Sequence, residues 1–390
     1  MTTWFRWSLV VLLFAHGVLH LLGAAKGLGW ASLPQLSTSI GSVGGIAWLV
    51  AAALVLGTAA FVAAGTPTWW WLVAGVAAAV SQIVILTSWA DAKVGSVVNI
   101  VLVLAAVYGF VSVGPPSLRA QWQKGVAGAD APSGHAGVVT DHDLQDLPAP
   151  VAAYVRRSGA VGMPRVTSFH ARFHGRIRSA PDKAWMEFTG QQVNTFGTNP
   201  RRFFIMDATM HGLPVTVLHV YDRGKATMRG KLLSLVTVVS ASGPVMDRAE
   251  TVTLFNDMVV FAPPIIVDAP ILWTAVDDQH ALGTLTYGDE TVTARLTFDG
   301  SGDLVDFLSG DRRRASADGK TFTQEPWSTP VGDYHVFGGR RVVTAGEGRW
   351  DAPPVGPFTY LELKLDDITY DPAGGRAASD SERVRTAPRG

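Results

Sequence analysis

No Asp, Glu, Lys or Arg occurs between Lys26 and Asp91, and none between Lys93 and Arg119. A helix rises about 1.5 Å per residue, so roughly 20 apolar residues cross a hydrocarbon core of about 30 Å. Four segments reach that length: Phe5 to Ala25, Gly44 to Ala64, Trp69 to Trp89 and Val94 to Val113. The connectors Gly65 to Thr68 and Ala90 to Lys93 are too short for anything but antiparallel neighbours, which predicts a compact bundle over residues 1–114. Nine of the 13 Trp precede residue 130, and Trp4, Trp7, Trp30, Trp69, Trp70, Trp71 and Trp89 flank the spans as an interfacial belt. Gly44, Gly45, Gly57, Gly75, Gly95 and Gly109 permit close helix contact. Cleavage of the first segment as a signal peptide after Gly23-Ala24-Ala25 is the alternative; its length and the histidines within it argue against that.

Charge divides the chain in the same place. Residues 1–129 carry five Lys/Arg and one acidic residue, whereas residues 130–390 carry 27 Lys/Arg and 31 Asp/Glu. The mildly acidic second part has no broad basic surface for nucleic acid, which is set aside as a partner. Cysteine is absent, which excludes disulfides, thiolate metal sites and cysteine nucleophiles. Both chain ends share a side in a four-span arrangement. Arg6, Arg119 and Lys124 on that side against Lys26 and Lys93 on the other tilt the second part towards the cytoplasm of a multi-pass cell-membrane protein.

Polar residues inside apolar spans are costly and ordinarily face a bundle interior. His16 and His20, at i and i+4, share one face of the first helix. Without a third ligand in another span they make a weak metal signal, so the expectation is packing against Gln82 or Asn99 with no metal or other cofactor bound. Asp91 and Lys93 read as a salt-bridged cap at the headgroup level.

Residues 115–147 open with Pro115-Pro116 and carry Gly125, Gly128, Pro132, Gly134 and Gly137, the composition of a flexible linker. A short helix is expected from Pro148 to Gly159, with Val151, Tyr154 and Val155 on its apolar face. Beyond it the period is two. Phe169, Ala171 and Phe173 alternate with His170, Arg172 and His174, and the same pattern recurs over Thr291 to Phe298 and Tyr360 to Leu365. Turn signals at Gly288-Asp289, Asp299 to Asp303, Asp318-Gly319 and Gly338-Gly339 are close together, which produces antiparallel meanders. A helix over Val245 to Val260, bounded by Gly243-Pro244 and Pro263-Pro264, is expected to cover one mouth of the sheet as a lid. The fold class is therefore a membrane α-helical bundle followed by an α+β soluble domain over 148–371, an antiparallel sheet curved into a partial barrel with a covering helix. Residues 372–390 form a disordered tail.

Several stretches together resemble an uncharacterised bacterial family of four-helix membrane-anchored proteins. They are His16 to Gly23, Asp91 to Gly95 with Asn99, and Met228 to Lys231 leading to Gly243-Pro244. The closing set Trp327, Tyr334, Phe337, Glu347, Trp350, Phe358 and Tyr360 belongs to the same pattern, so the resemblance covers residues 5 to 371. The soluble half is similar in architecture to periplasmic lipoprotein carriers, whose concave apolar face shelters acyl chains. That resemblance implies lipid binding by analogy of fold and brings no catalytic residues with it.

No nucleophile elbow, phosphate loop, His-Glu-x-x-His or dinucleotide fingerprint occurs. Asp277, Asp278 and His280 read as a polar turn. His170, Arg172, His174 and Arg176, and the run Arg312 to Arg314, read as solvated faces. Three functions stay open: a membrane-held lipid- or lipoprotein-binding protein, a structural or assembly factor without a small ligand, and an enzyme of unrecognised type. The first leads. Its expected ligand walls are Trp185, Trp273, Trp327 and Trp350 with Met246 and Phe255 of the helix, around a cavity of at least about 300 Å³. Membrane lipid is the expected partner; oligomeric state is not legible.

Overall fold

The computed structural model describes residues 3–65, 67–129, 137–315, 321–354 and 356–372. Pro132 and Gly134, the Asp318-Gly319 turn and the tail from residue 373 lie outside the described residues.

The first unit is helical. α1 (Thr3–Gly27), α2 (Ser42–Ala64), α3 (Trp70–Thr87), the single turn α4 (Trp89–Ala92) and α5 (Gly95–Val113) follow one another, and the four longer helices are long and apolar enough to cross a membrane. Their outward faces carry exposed Val11, Phe14, Ile46, Ile83, Ile100 and Leu104, the reverse of a bundle built to face water. Inside, Leu13, Val55, Ala74, Ala77 and Leu102 are fully buried. α1 and α2 cross closely where Gly27 meets Gly45: a Cβ on Gly45 would stand 2.8 Å from the Gly27 carbonyl carbon. The expected Asp91–Lys93 cap is replaced by another arrangement. Asp91 accepts the backbone N–H groups of Ser37 (3.0 Å) and Thr38 (2.8 Å) and the Ser37 hydroxyl (2.7 Å). The Thr38 N–H and the Ser37 donors hold its carboxyl well below the usual range. Asp91 thereby ties the α1–α2 loop to the α3–α5 connection.

The segment read as a flexible linker contains α6 (Leu118–Ala127). It docks rather than floats: Trp122 Nε1 donates to the Phe203 carbonyl at 3.2 Å, and Gly125 lies against the Phe203 ring. α7 (Ala149–Arg157) buries Val151, Tyr154 and Val155, and the chain leaves it through Gly159 at φ 76°.

The second unit is one long sheet. β1 (Val166–Ile177), β2 (Met186–Thr195), β3 (Arg201–Met210), β4 (Leu213–Asp222), β5 (Lys225–Leu232) and β6 (Val236–Ser242) form a meander, which α8 (Pro244–Phe261) interrupts. β7 (Ile271–Ala275), β8 (His280–Tyr287), β9 (Glu290–Phe298) and β10 (Leu304–Ser309) form a second. After the separate hairpin of β11 (Arg313–Ala315) and β12 (Phe322–Gln324), the sheet resumes with β13 (Trp327–Ser328), β14 (Val331–Phe337), β15 (Arg340–Ala352) and β16 (Gly356–Pro372). Fourteen strands run in the order β6-β5-β4-β3-β2-β1-β16-β15-β13-β10-β9-β8-β7, with β14 also on β15. The first and last strands, β1 and β16, pair antiparallel and join the two meanders, setting Phe169 opposite Tyr370 and Phe173 opposite Leu365. The expected two-residue turns sit at Gly288-Asp289 and Gly338-Gly339; the latter has φ 55° and 82°, the left-handed pair a type I′ hairpin requires.

α8 corrects the lid expectation. Thirteen of its 18 residues are buried, on every side of the helix. A helix buried all round belongs to a core, so α8 fills the concavity of the curled sheet rather than covering its mouth. Tyr154 and Tyr370 donate their hydroxyls to the carbonyls of Val259 (2.8 Å) and Phe261 (2.6 Å), two of the acceptors a helix end leaves unpaired.

Candidate functional site

Glu250, Thr253 and Asp257 recur at i, i+3 and i+7, so they line one face of α8. That face looks onto β2, β3 and β4, whose inward residues include Gln192, Asn194, Arg202 and His219. Arg202 bridges the two carboxylates, donating to Asp257 Oδ2 at 2.7 Å and to Glu250 Oε2 at 3.1 Å, with 8% of its side chain exposed against 5% and 3% for the acids. Gln192 and Asn194 donate to the same Asp257 oxygen at 2.6 and 2.9 Å. Burial works to raise the Glu250 carboxyl, but His219, Arg202 and Arg312 around it outweigh burial and hold it at about 2. For Asp257 burial wins, and its carboxyl is raised above the ordinary range despite Arg202 and Asn194.

Beside this cluster a cleft of about 180 Å³ opens between α8 and the sheet. Its walls are mainly apolar, with Ile177, Phe188, Met206, Val343, Leu361 and Leu363 from the strands and Val260 and Phe261 from α8. Trp327 closes one side, its Nε1 donating to the Tyr360 hydroxyl at 3.1 Å. Arg312 lies over the Trp327 ring, 4.3 Å from its centroid.

Of the six residues expected to form ligand walls, Trp327 lines this cleft. Trp350 is buried on β15 behind it, 6.1 Å from the Tyr360 ring. Phe255 is wholly buried on another face of α8, edge-on to Phe307 (5.3 Å) and Trp273 (6.2 Å). Met246 sits half-buried in the first turn of α8. Trp185 precedes β2 and stacks with Arg176 and Arg178, 4.6 and 4.4 Å from its ring centroid. The cleft measures less than the expected 300 Å³, because α8 occupies the space that a hollow partial barrel would leave.

Two readings of the basic residues change. Arg312 is not solvated; 15% of its side chain is exposed, and it faces the cleft. Arg172 and His174 are exposed and His170 and Arg176 half-buried, but each meets an acid of β16, namely Asp367, Asp366, Asp371 and Glu362 respectively. The β1–β16 register therefore turns an apparent basic strip into a ladder of cross-strand pairs with acids. Arg202, His219, Glu250 and Asp257 carry no motif. The signal that points to them is an acidic pair seven apart on a helix otherwise fit for burial.

In the helical unit, His20 Nδ1 donates to the His16 carbonyl at 3.0 Å, and its Nε2 lies 2.7 Å from the Ser81 hydroxyl. His16 Nε2 lies 3.1 Å from Asn99 Oδ1. Asn99 donates to Gln82 at 2.9 Å, and Gln82 in turn to Ser96 at 3.0 Å. Gln82 thus reaches the histidines through Asn99. A second cavity of about 240 Å³, lined by His16, His20, Trp48 and Asp91, adjoins this network. Among the described residues no three His, Cys, Asp or Glu are grouped to hold a metal ion.

No curated protein sequence matches the chain. A domain assigned to outer membrane lipoprotein sorting from Vibrio parahaemolyticus is similar in structure, with 10% identity over 56% of this chain and 91% of its own, at a TM-score of 0.32. A DUF1329 family protein from Desulfovibrio piger is similar with 12% identity over 57% of this chain and 92% of its own, at a TM-score of 0.27. The family match is narrower than the resemblance over residues 5 to 371, since it leaves out the helical unit. Residues 137–363 match DUF6544, a family of unknown function, and the chain belongs to that family.

Proposed function

We propose that α1, α2, α3 and α5 hold this protein in a membrane and that its β unit binds a lipid or lipoprotein ligand through an acyl chain placed in the cleft between α8 and the sheet. The observation that carries the reading is the apolar cleft beside Trp327, between α8 and the sheet. Small-ligand pockets run from about 300 Å³, and an apolar cavity of about 150 Å³ holds benzene. A cleft of about 180 Å³ therefore takes one end of a chain, and the remainder extends from its open side. Tethering to a membrane raises the local lipid supply, so modest affinity suffices.

The test is photolabelling of the full-length protein in neutral detergent with a diazirine-bearing fatty acid, followed by peptide mapping. Labels on β2, β3 or β16 that unlabelled fatty acid competes away are expected. Labels confined to α1–α5, or labels that do not saturate, would overturn the reading.

A further inference from the structure

Buried cations are ordinarily hydrogen-bonded to an acid, and of the two arginines that line the cleft Arg202 follows that rule. Arg202 binds Glu250 and Asp257, and away from the cleft the partly exposed Arg248 binds Glu290 and Asp311 and Arg314 binds Glu325. Arg312 departs from it. Held by stacking on Trp327, it has a buried Nε with no hydrogen-bond partner, and its nearest carboxylate oxygen, Glu250 Oε1, is 3.9 Å away. On β4, His219 Nδ1 is likewise buried without a hydrogen-bond partner, 3.8 Å from the same Glu250 oxygen. Both distances exceed a hydrogen bond. Glu250 is already engaged through its other oxygen by Arg202, and Asp257 by Arg202, Gln192 and Asn194. Arg312 and His219 therefore share one Glu250 oxygen at ion-pair distance, and each keeps a ring or guanidinium nitrogen without a hydrogen bond beside the apolar cleft. An oxyanion between them would satisfy both, and the planar Arg312 fork suits a carboxylate or phosphate.

Resting on the lipid-binding reading above, we propose that Arg312 and His219 form a head-group subsite, so that the ligand is an anionic amphiphile whose carboxylate or phosphate sits between them while its chain enters the cleft. Neutral lipids of the same chain length lack the group that these donors need.

The experiment measures binding of three ligands with one alkyl chain, the fatty acid, the alkyl phosphate and the fatty alcohol, to the full-length protein in neutral detergent by calorimetry. The acid or the phosphate binds at least about tenfold tighter than the alcohol, the scale of one charge-assisted hydrogen bond. Whichever anion is preferred identifies a carboxylate or a phosphate source. Arg312→Gln lowers anion affinity about tenfold and leaves the alcohol unchanged, which also shows that the variant is folded. Should Arg312→Gln lose the alcohol as well, His219→Gln is read in the same way. Equal binding of anion and alcohol by the native protein, or an unchanged preference in the folded variants, overturns the subsite while the acyl cleft stands. If none of the three ligands binds, the lipid-binding reading falls and the subsite falls with it.

Discussion

Glu250 keeps its charge with 3% of its side chain exposed, because His219, Arg202 and Arg312 around it together exceed its desolvation. Its carboxyl is depressed from 4.5 to about 2. The stabilisation is therefore fully present above about pH 4.5 and is lost as the pH falls towards 2. Glu250→Gln removes one acid from buried Arg202 and is expected to lower stability at neutral pH by about 3 kcal/mol. Thermal unfolding of the full-length protein checks this: the gap between native and variant closes on acidification, and a gap that persists unchanged at pH 3 would contradict the sign argued here. At this scale the sequence was partly legible. The i, i+4 pair His16 and His20 shares a helix face by periodicity alone, but Ser81 between them and Asn99 is set by how α3 and α5 pack. The run Arg312 to Arg314 shows the converse. Sequence places three like charges together, and the fold sends one to the cleft and another to Glu325.

At the scale of elements, helices and hairpins follow from local pattern, whereas the β1–β16 seam does not. It pairs residues nearly two hundred positions apart, and no local period specifies which strands meet. The seam has one close approach. A Cβ on Gly175 of β1 would collide with the backbone carbonyl of Glu362 on β16, which only a backbone shift can relieve. Gly175→Ala is expected to destabilise the β unit by about 1–3 kcal/mol, the scale of overpacking in a filled interior. Gly288→Asn serves as a control, since its turn is open to an added side chain and Asn tolerates left-handed backbone. An unfolding midpoint unchanged in Gly175→Ala would mean that the seam is looser than its register implies. α8 shows where element-level reading stops short. Its length and bounding prolines are visible in sequence, but Thr251, Val252 and Thr253 carry no clear amphipathic stripe because the helix is buried on all sides.

For the whole molecule, charge distribution divides an apolar helical part from a β-rich part, and with the proposed membrane anchoring it carries an expectation for orientation. A domain on the cytoplasmic side is the expectation from Arg6, Arg119 and Lys124. The cysteine-free chain makes the test clean: Asp278→Cys, on an exposed turn, is labelled by a membrane-impermeant maleimide only after the cells are permeabilised. Labelling of intact spheroplasts would place the domain on the other side. By itself the sequence determined the four apolar helices, the period-two strands with their glycine turns, and the helix at the centre of the β unit. Each of these follows from the spacing of apolar residues and from backbone preferences within a dozen positions. Tertiary structure alone decided which strands close the sheet, that α8 fills its hollow and narrows the cleft, and that Arg312 and His219 stand there without a hydrogen bond to an acid. Those outcomes depend on which distant side chains are desolvated together, and local periodicity carries no information about that.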